Sequence, residues 1–226
     1  MRHSLLFSAL VATALSGITP ALAADEDMPP EFRSSTFEVY TGVFGAANAL
    51  RSDYTTVVDT TRTPGELDGN AFSYGFRAGF DYVMDGWLVG AVGDWSFGGK
   101  VASDTAANVD ASLPNLGTLR ARAGVTLGNS LVYLTGGIAR SEVEISSNLT
   151  PFIGDRNAWG TSWTVGGGID VGITDSLSMG VEYLYVDIPD QDFSYERTAP
   201  AAPAVIEQKF DAVHTIRVGM NYAFQI

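Results

Sequence analysis

Residues 72–82 alternate without a break, with Phe72, Tyr74, Phe76, Ala78, Phe80 and Tyr82 in one phase and Ser73, Gly75, Arg77, Gly79 and Asp81 in the other. A period of two predicts a β-strand. The run exceeds the five or six residues of a typical soluble strand and matches the roughly 9 to 11 that a tilted strand needs to cross hydrocarbon. The same pattern recurs over 119–127, 163–173, 177–185 and 215–224, and less cleanly over 37–47, 87–98 and 131–143. Eight strands are therefore predicted.

Their connections alternate in length. Met84-Asp85-Gly86, Gly128-Asn129-Ser130 and Thr174-Asp175-Ser176 are rich in residues that favour tight turns, whereas 48–70, 99–117, 146–158 and 188–208 are long and polar. Short turns at one end and long loops at the other predict an all-β, eight-stranded antiparallel up-and-down transmembrane barrel, with short periplasmic turns and long outer loops. Both termini then lie in the periplasm, and structure is expected to start near Thr36.

Alternation alone does not say which phase meets solvent, because a soluble barrel alternates too. An eight-stranded barrel has an interior just wide enough for side chains to fill it. Phe72, Tyr74, Phe76, Phe80, Tyr82, Trp95, Phe97, Trp163, Tyr183, Tyr185, Tyr222 and Phe224 would overfill it, while the opposite phase, read as mostly Gly, Ser and Thr with a few charges, would fit. The aromatic phase is therefore expected to face lipid. Its residues gather near both strand ends, as two interfacial girdles do.

The first stretch of the chain carries Arg2, an apolar run over 5–15 and a segment ending Ala21-Leu22-Ala23, the layout of a secretory signal cleaved after Ala23. The acidic stretch 24–35 carries Pro29-Pro30 and reads as a flexible periplasmic lead-in to a barrel spanning 36–226. No other segment approaches the roughly 20 apolar residues of a membrane helix. The formal net charge is −13, which disfavours nucleic acid and anionic surfaces as partners. With no cysteine, neither a disulfide framework nor thiol chemistry is available. No motif for a metal or a cofactor sits in a suitable context, and His214, the one histidine beyond the leader, falls on the lipid-facing phase near the outer rim. No catalytic residues are assigned.

The sequence resembles the small OmpA/OmpX-like outer-membrane barrels, and most closely the porin-family barrels of alphaproteobacteria. The residues that carry this likeness are Arg120-Ala121-Arg122-Ala123-Gly124, Glu182-Tyr183-Leu184-Tyr185 and 214–224. The ending Gly219-x-x-Tyr222-x-Phe224 is similar to the signal read by the barrel assembly machinery, although Gln225-Ile226 follow the terminal aromatic. The resemblance implies outer-membrane lipid and lipopolysaccharide as surroundings, the assembly machinery as a partner during insertion, and an extracellular ligand as a candidate partner of the loops. It implies a structural, loop-presenting or weakly pore-forming role.

The lumen holds the remaining chemistry. Counted from the tight turns at roughly 3.3 Å per residue and a tilt near 40°, Arg77, Asp94, Arg120, Arg122, Glu182 and Arg217 all fall about 17 to 23 Å above the periplasmic edge. They are expected to form one layer, with Asp81 and Asp170 nearer the periplasm restoring neutrality. Charges at membrane depth suggest a selectivity ring or proton path, but unpaired buried charge is costly, which favours a mutually paired plug with Glu182 as a key partner. Four readings stand: a structural barrel supporting envelope integrity, a passive channel for small solutes, a loop-mediated receptor or adhesin, and an enzyme, of which the first is preferred.

Overall fold

In the computed structural model, residues 36–58, 61–98, 100–104, 109–147, 154–188, 191–195 and 204–225 are described. They form ten strands: β1 (Thr36–Val58), β2 (Thr61–Met84), β3 (Trp87–Phe97), β4 (Lys100–Asp104), β5 (Val109–Leu127), β6 (Ser130–Ser147), β7 (Gly154–Gly172), β8 (Leu177–Asp187), β9 (Gln191–Tyr195) and β10 (Ala204–Gln225). Eight of them make the wall in the order β1-β2-β3-β5-β6-β7-β8-β10, every neighbour antiparallel, and β1 pairs β10 from Glu38↔Gln225 to Val57↔Val205 to close the barrel. Closure leaves the wall without an edge strand, which a sheet in hydrocarbon requires. The segments expected as leader and lead-in, 1–23 and 24–35, lie outside the described residues.

The three tight turns follow from their residues. Asp85 and Gly86 both have positive φ, 49° and 83°, as a type I′ hairpin demands of its two central residues. Gly128 takes φ 61° at the first central position of the next hairpin. In the third, the Thr174 hydroxyl accepts from the backbone N–H groups of Ser176 and Leu177 at 3.3 and 3.0 Å. Each turn also bonds onward to a wall strand: Thr126 to Gly86, Gly172 to Asn129 and Ala223 to Ser176, each at 2.8 Å.

The opposite ends differ from expectation. The segment 48–70 is mostly ladder, because β1 and β2 stay paired out to Val58↔Thr61. Similarly, β4 and the start of β5 occupy much of 99–117, β6 and β7 extend into 146–158, and β9 and the start of β10 enter 188–208. Beyond the membrane both sheet faces can be wet, so no alternation of apolar and polar residues is needed to hold a ladder together. The polar composition that suggested loops is compatible with such extensions, and Thr55, Thr56, Val57 and Val58 are good strand formers.

The outward phase is as predicted. Phe72, Tyr74, Phe76, Phe80 and Tyr82 are all exposed, as are Trp163, Tyr183, Tyr222 and Phe224. The inward phase carries more bulk than expected: Tyr40, Phe44, Tyr133 and Leu184 are buried beside the small residues. Near the tight turns, Val83, Leu88, Leu131 and Tyr133 pack into an apolar floor. Glycines make room for this bulk, since a Cβ at Gly79 or Gly168 would strike the ring of Tyr40 or Tyr133, respectively.

Candidate functional site

Above the apolar floor, the barrel is crossed by buried charge. Arg120 on β5 donates to Asp94 Oδ2 on β3 at 2.6 Å and to Glu182 Oε1 on β8 at 2.9 Å. In the wall order, β8 stands three strands from β5, so this side chain reaches most of the way across the lumen. From β10, Arg217 Nη1 approaches Asp94 Oδ1 at 2.9 Å and Glu182 Oε2 at 3.7 Å. The two arginines and two carboxylates thus form a quartet, with side chains no more than 2 % exposed. Thr118 completes it: its hydroxyl donates to Asp94 Oδ2 at 2.7 Å and accepts from Arg120 Nε at 2.9 Å.

A second tier is built around Arg122. Its Nη2 donates to Asp170 Oδ2 at 2.9 Å, and its Nη1 donates to the Tyr40 hydroxyl at 2.6 Å and lies 3.2 Å from Asp81 Oδ2. The guanidinium also lies over the Tyr133 ring, 4.0 Å from its centroid. Tyr133 joins the tiers by donating to Glu182 Oε1 at 3.2 Å.

The six predicted lumen charges are all buried, but they do not form one layer. Arg120 and Arg122 are two residues apart on the same strand, so their heights differ by about 5 Å along the barrel axis. Arg122 pairs with Asp81 and Asp170, not with Glu182. Arg77 and Asp94 are register partners on β2 and β3, yet Asp94 turns to Arg120 and Arg217. Among the described residues, Arg77 has no carboxylate within ion-pair distance; it lies over Phe44, 5.0 Å from the ring centroid, and Arg217 lies 4.5 Å from the same centroid. Sequence reasoning missed the aromatic members Tyr40, Phe44 and Tyr133. The imperfect alternation over 37–47 and 131–143 was the available signal for them.

The outward-facing features fall at the barrel's two ends. Phe37 stacks on Phe80 and Tyr222 meets Phe224 near the tight turns, with centroids 5.9 and 5.0 Å apart. Toward the long hairpins, Trp163 stacks on Tyr185 at 5.1 Å and Trp95 meets Trp159 at 6.2 Å. His214 is exposed on this outer surface, its Nδ1 2.7 Å from the Tyr183 hydroxyl, and so stands outside the lumen network. Gly219 lies on the inward phase of the last strand, while Tyr222 and Phe224 face outward. No group of three or more His, Cys, Asp or Glu able to hold a metal occurs among the described residues.

A closed wall of membrane-length strands, with aromatics outside and ion pairs within, agrees with the outer membrane protein beta-barrel domain, whose family model matches residues 7–224. The chain belongs to that family. It is 31% identical over 180 residues to the 31 kDa outer-membrane immunogenic protein of Brucella melitensis, a match covering 74% of this chain and 72% of the relative. It is also 24% identical over 140 residues to the 22 kDa outer membrane protein of Rhizobium leguminosarum bv. viciae, covering 60% of this chain and 64% of the relative. Among solved structures, it is similar to OprG from Pseudomonas aeruginosa, with a TM-score of 0.45 and 14% identity over 86% of this chain and 98% of that one. This family member is a small outer-membrane β-barrel of the alphaproteobacterial kind.

Proposed function

We propose that the protein is a structural barrel of the outer membrane, with a lumen closed to solutes and its long hairpins presented to the outside. The observation that carries this reading is Arg120 spanning the interior to bind Asp94 and Glu182. A solute would have to break charge-assisted bonds between side chains that are almost fully buried, and then pass Val83, Leu88 and Leu131 below. In this reading residues 1–23 are removed on export and the tight-turn end faces the periplasm. Thr36 and Gln225 belong to that end, because Thr36 pairs with Val83 and Glu38 with Gln225. Lipopolysaccharide surrounds the outer rim, the last strand is read by the assembly machinery, and an extracellular ligand would meet the hairpins. The immunogenic character named for the Brucella relatives suits hairpins displayed at a cell surface.

Conductance of the purified protein in planar bilayers tests the closed lumen. The parent should show almost none. Glu182→Ala leaves Asp94 to serve both Arg120 and Arg217 while the Arg122 tier and the apolar floor remain, so conductance should rise only modestly above the parent's or become anion-selective. Strong conductance by the parent, with unchanged ion selectivity in the variant, would move the passive-channel reading to first place.

A further inference from the structure

Arg140 differs from the four lumen arginines because it points outward. Among the described side chains it is the one exposed Lys or Arg, in a chain of net charge −13. It lies ten residues beyond Ser130, at the end of the second tight turn, which places it roughly 25 Å above the periplasmic edge. That is about the height of the apolar band of an outer-membrane barrel, so the guanidinium stands where acyl chains give way to headgroups.

Its surroundings fit that depth. Arg140 is the register partner of Gly117 on β5 and Thr161 on β7, and Gly117 is the partner of Trp95 on β3. The guanidinium lies over the Trp159 ring, 5.4 Å from its centroid, and Trp95 meets Trp159. A Cβ on Gly117 would come within 2.7 Å of the Trp95 ring, so this glycine, the register partner of Arg140, makes room for the indole. One row nearer the membrane centre, Leu119, Ile138 and Trp163 face lipid. One row further out, Glu142 accepts from Asn115 Nδ2 at 2.6 Å. Among the described residues, no carboxylate lies within ion-pair distance of Arg140.

We infer that Arg140, held over Trp159, binds the phosphate of an outer-leaflet glycolipid whose acyl chains lie on Leu119, Ile138 and Trp163. The inference rests on the proposed outward orientation of the hairpins. Charge complementarity supports this occupant: a fixed cation at the headgroup level of an acidic protein is where an anionic amphiphile gains most, whereas a zwitterionic lipid gains little. Guanidinium also matches phosphate geometry with two parallel donors, and its stacking on an indole preserves those donors.

The test uses the full barrel in mixed micelles with equal amounts of bisphosphorylated lipid A and the same lipid without phosphates, retained lipid being counted by native mass spectrometry. The parent should retain the phosphorylated lipid preferentially. Arg140→Gln should lower that preference about five-fold, the effect of one basic residue near an anionic surface, and Arg140→Lys should restore part of it. Because Arg140 is exposed, the Gln variant should keep its heat-modifiable mobility on SDS gels. An absent preference in the parent, an unchanged preference in Arg140→Gln, or a change of oligomeric state in its place would overturn the inference. Protease cleavage of the hairpins on intact cells reports the orientation separately, and bilayer conductance reports the closed lumen.

Discussion

The two charge tiers of the lumen solve the same problem in different ways. The upper tier shares two arginines between two carboxylates, so that Asp94 and Glu182 each touch both Arg120 and Arg217. The lower tier depends on Arg122 alone, which serves Asp81 and Asp170 and anchors the Tyr40 hydroxyl. Losing one member of a shared quartet leaves every remaining charge with an opposite neighbour. Losing the centre of a hub strands two carboxylates at once. Buried ion networks of four and three charges can therefore differ sharply in their tolerance of mutation, and the difference lies in how the contacts are shared.

The largest expected effect comes from removing the hub. Arg122→Ala should destabilise the barrel by about 5 kcal/mol, the upper end for breaking a buried pair, as read by urea unfolding in lipid vesicles. Arg120→Ala should cost about 3 kcal/mol, the lower end, because Arg217 still faces both carboxylates. Equal losses for the two variants would show that the upper quartet is not redundant.

A smaller change sharpens the comparison. Thr118→Val keeps the side chain's volume but removes a hydroxyl that accepts from Arg120 and donates to Asp94, and should cost about 1 to 3 kcal/mol. If the quartet shares its contacts, this loss should shrink when measured in the Arg120→Ala background, which a double-mutant cycle would show.

The smallest effect on stability is expected outside the lumen. Phe224→Ala removes an exposed ring from the lipid face, so refolding into detergent micelles should be nearly unchanged. If the last strand is read by the assembly machinery, outer-membrane levels of the same variant should nonetheless fall in cells, as measured by blotting of membrane fractions. Equal loss in both settings would restrict Phe224 to packing.

Much of this protein was legible in its sequence because a membrane makes strict demands on each strand separately. Lipid on one side and a narrow polar lumen on the other impose alternation, so Phe72 to Tyr82 revealed both their conformation and their facing. The tight turns were equally local, since Asp85-Gly86 and Gly128 supply the positive φ that hairpins need. Burial of Arg77, Asp94, Arg120, Arg122, Glu182 and Arg217 followed from their phase alone. Their partners did not. Which carboxylate an arginine meets depends on the stagger between strands and on the bulk of Tyr40, Phe44 and Tyr133, none of which can be counted from a turn. Turn counting therefore merged Arg120 with Arg122, although two residues on one strand must occupy different heights. The extension of β1 and β2 to Val58 and Thr61 was hidden for a related reason: outside the membrane no face is compelled to be apolar, and the ladder there is held by the register of neighbouring strands that only the closed barrel brings together.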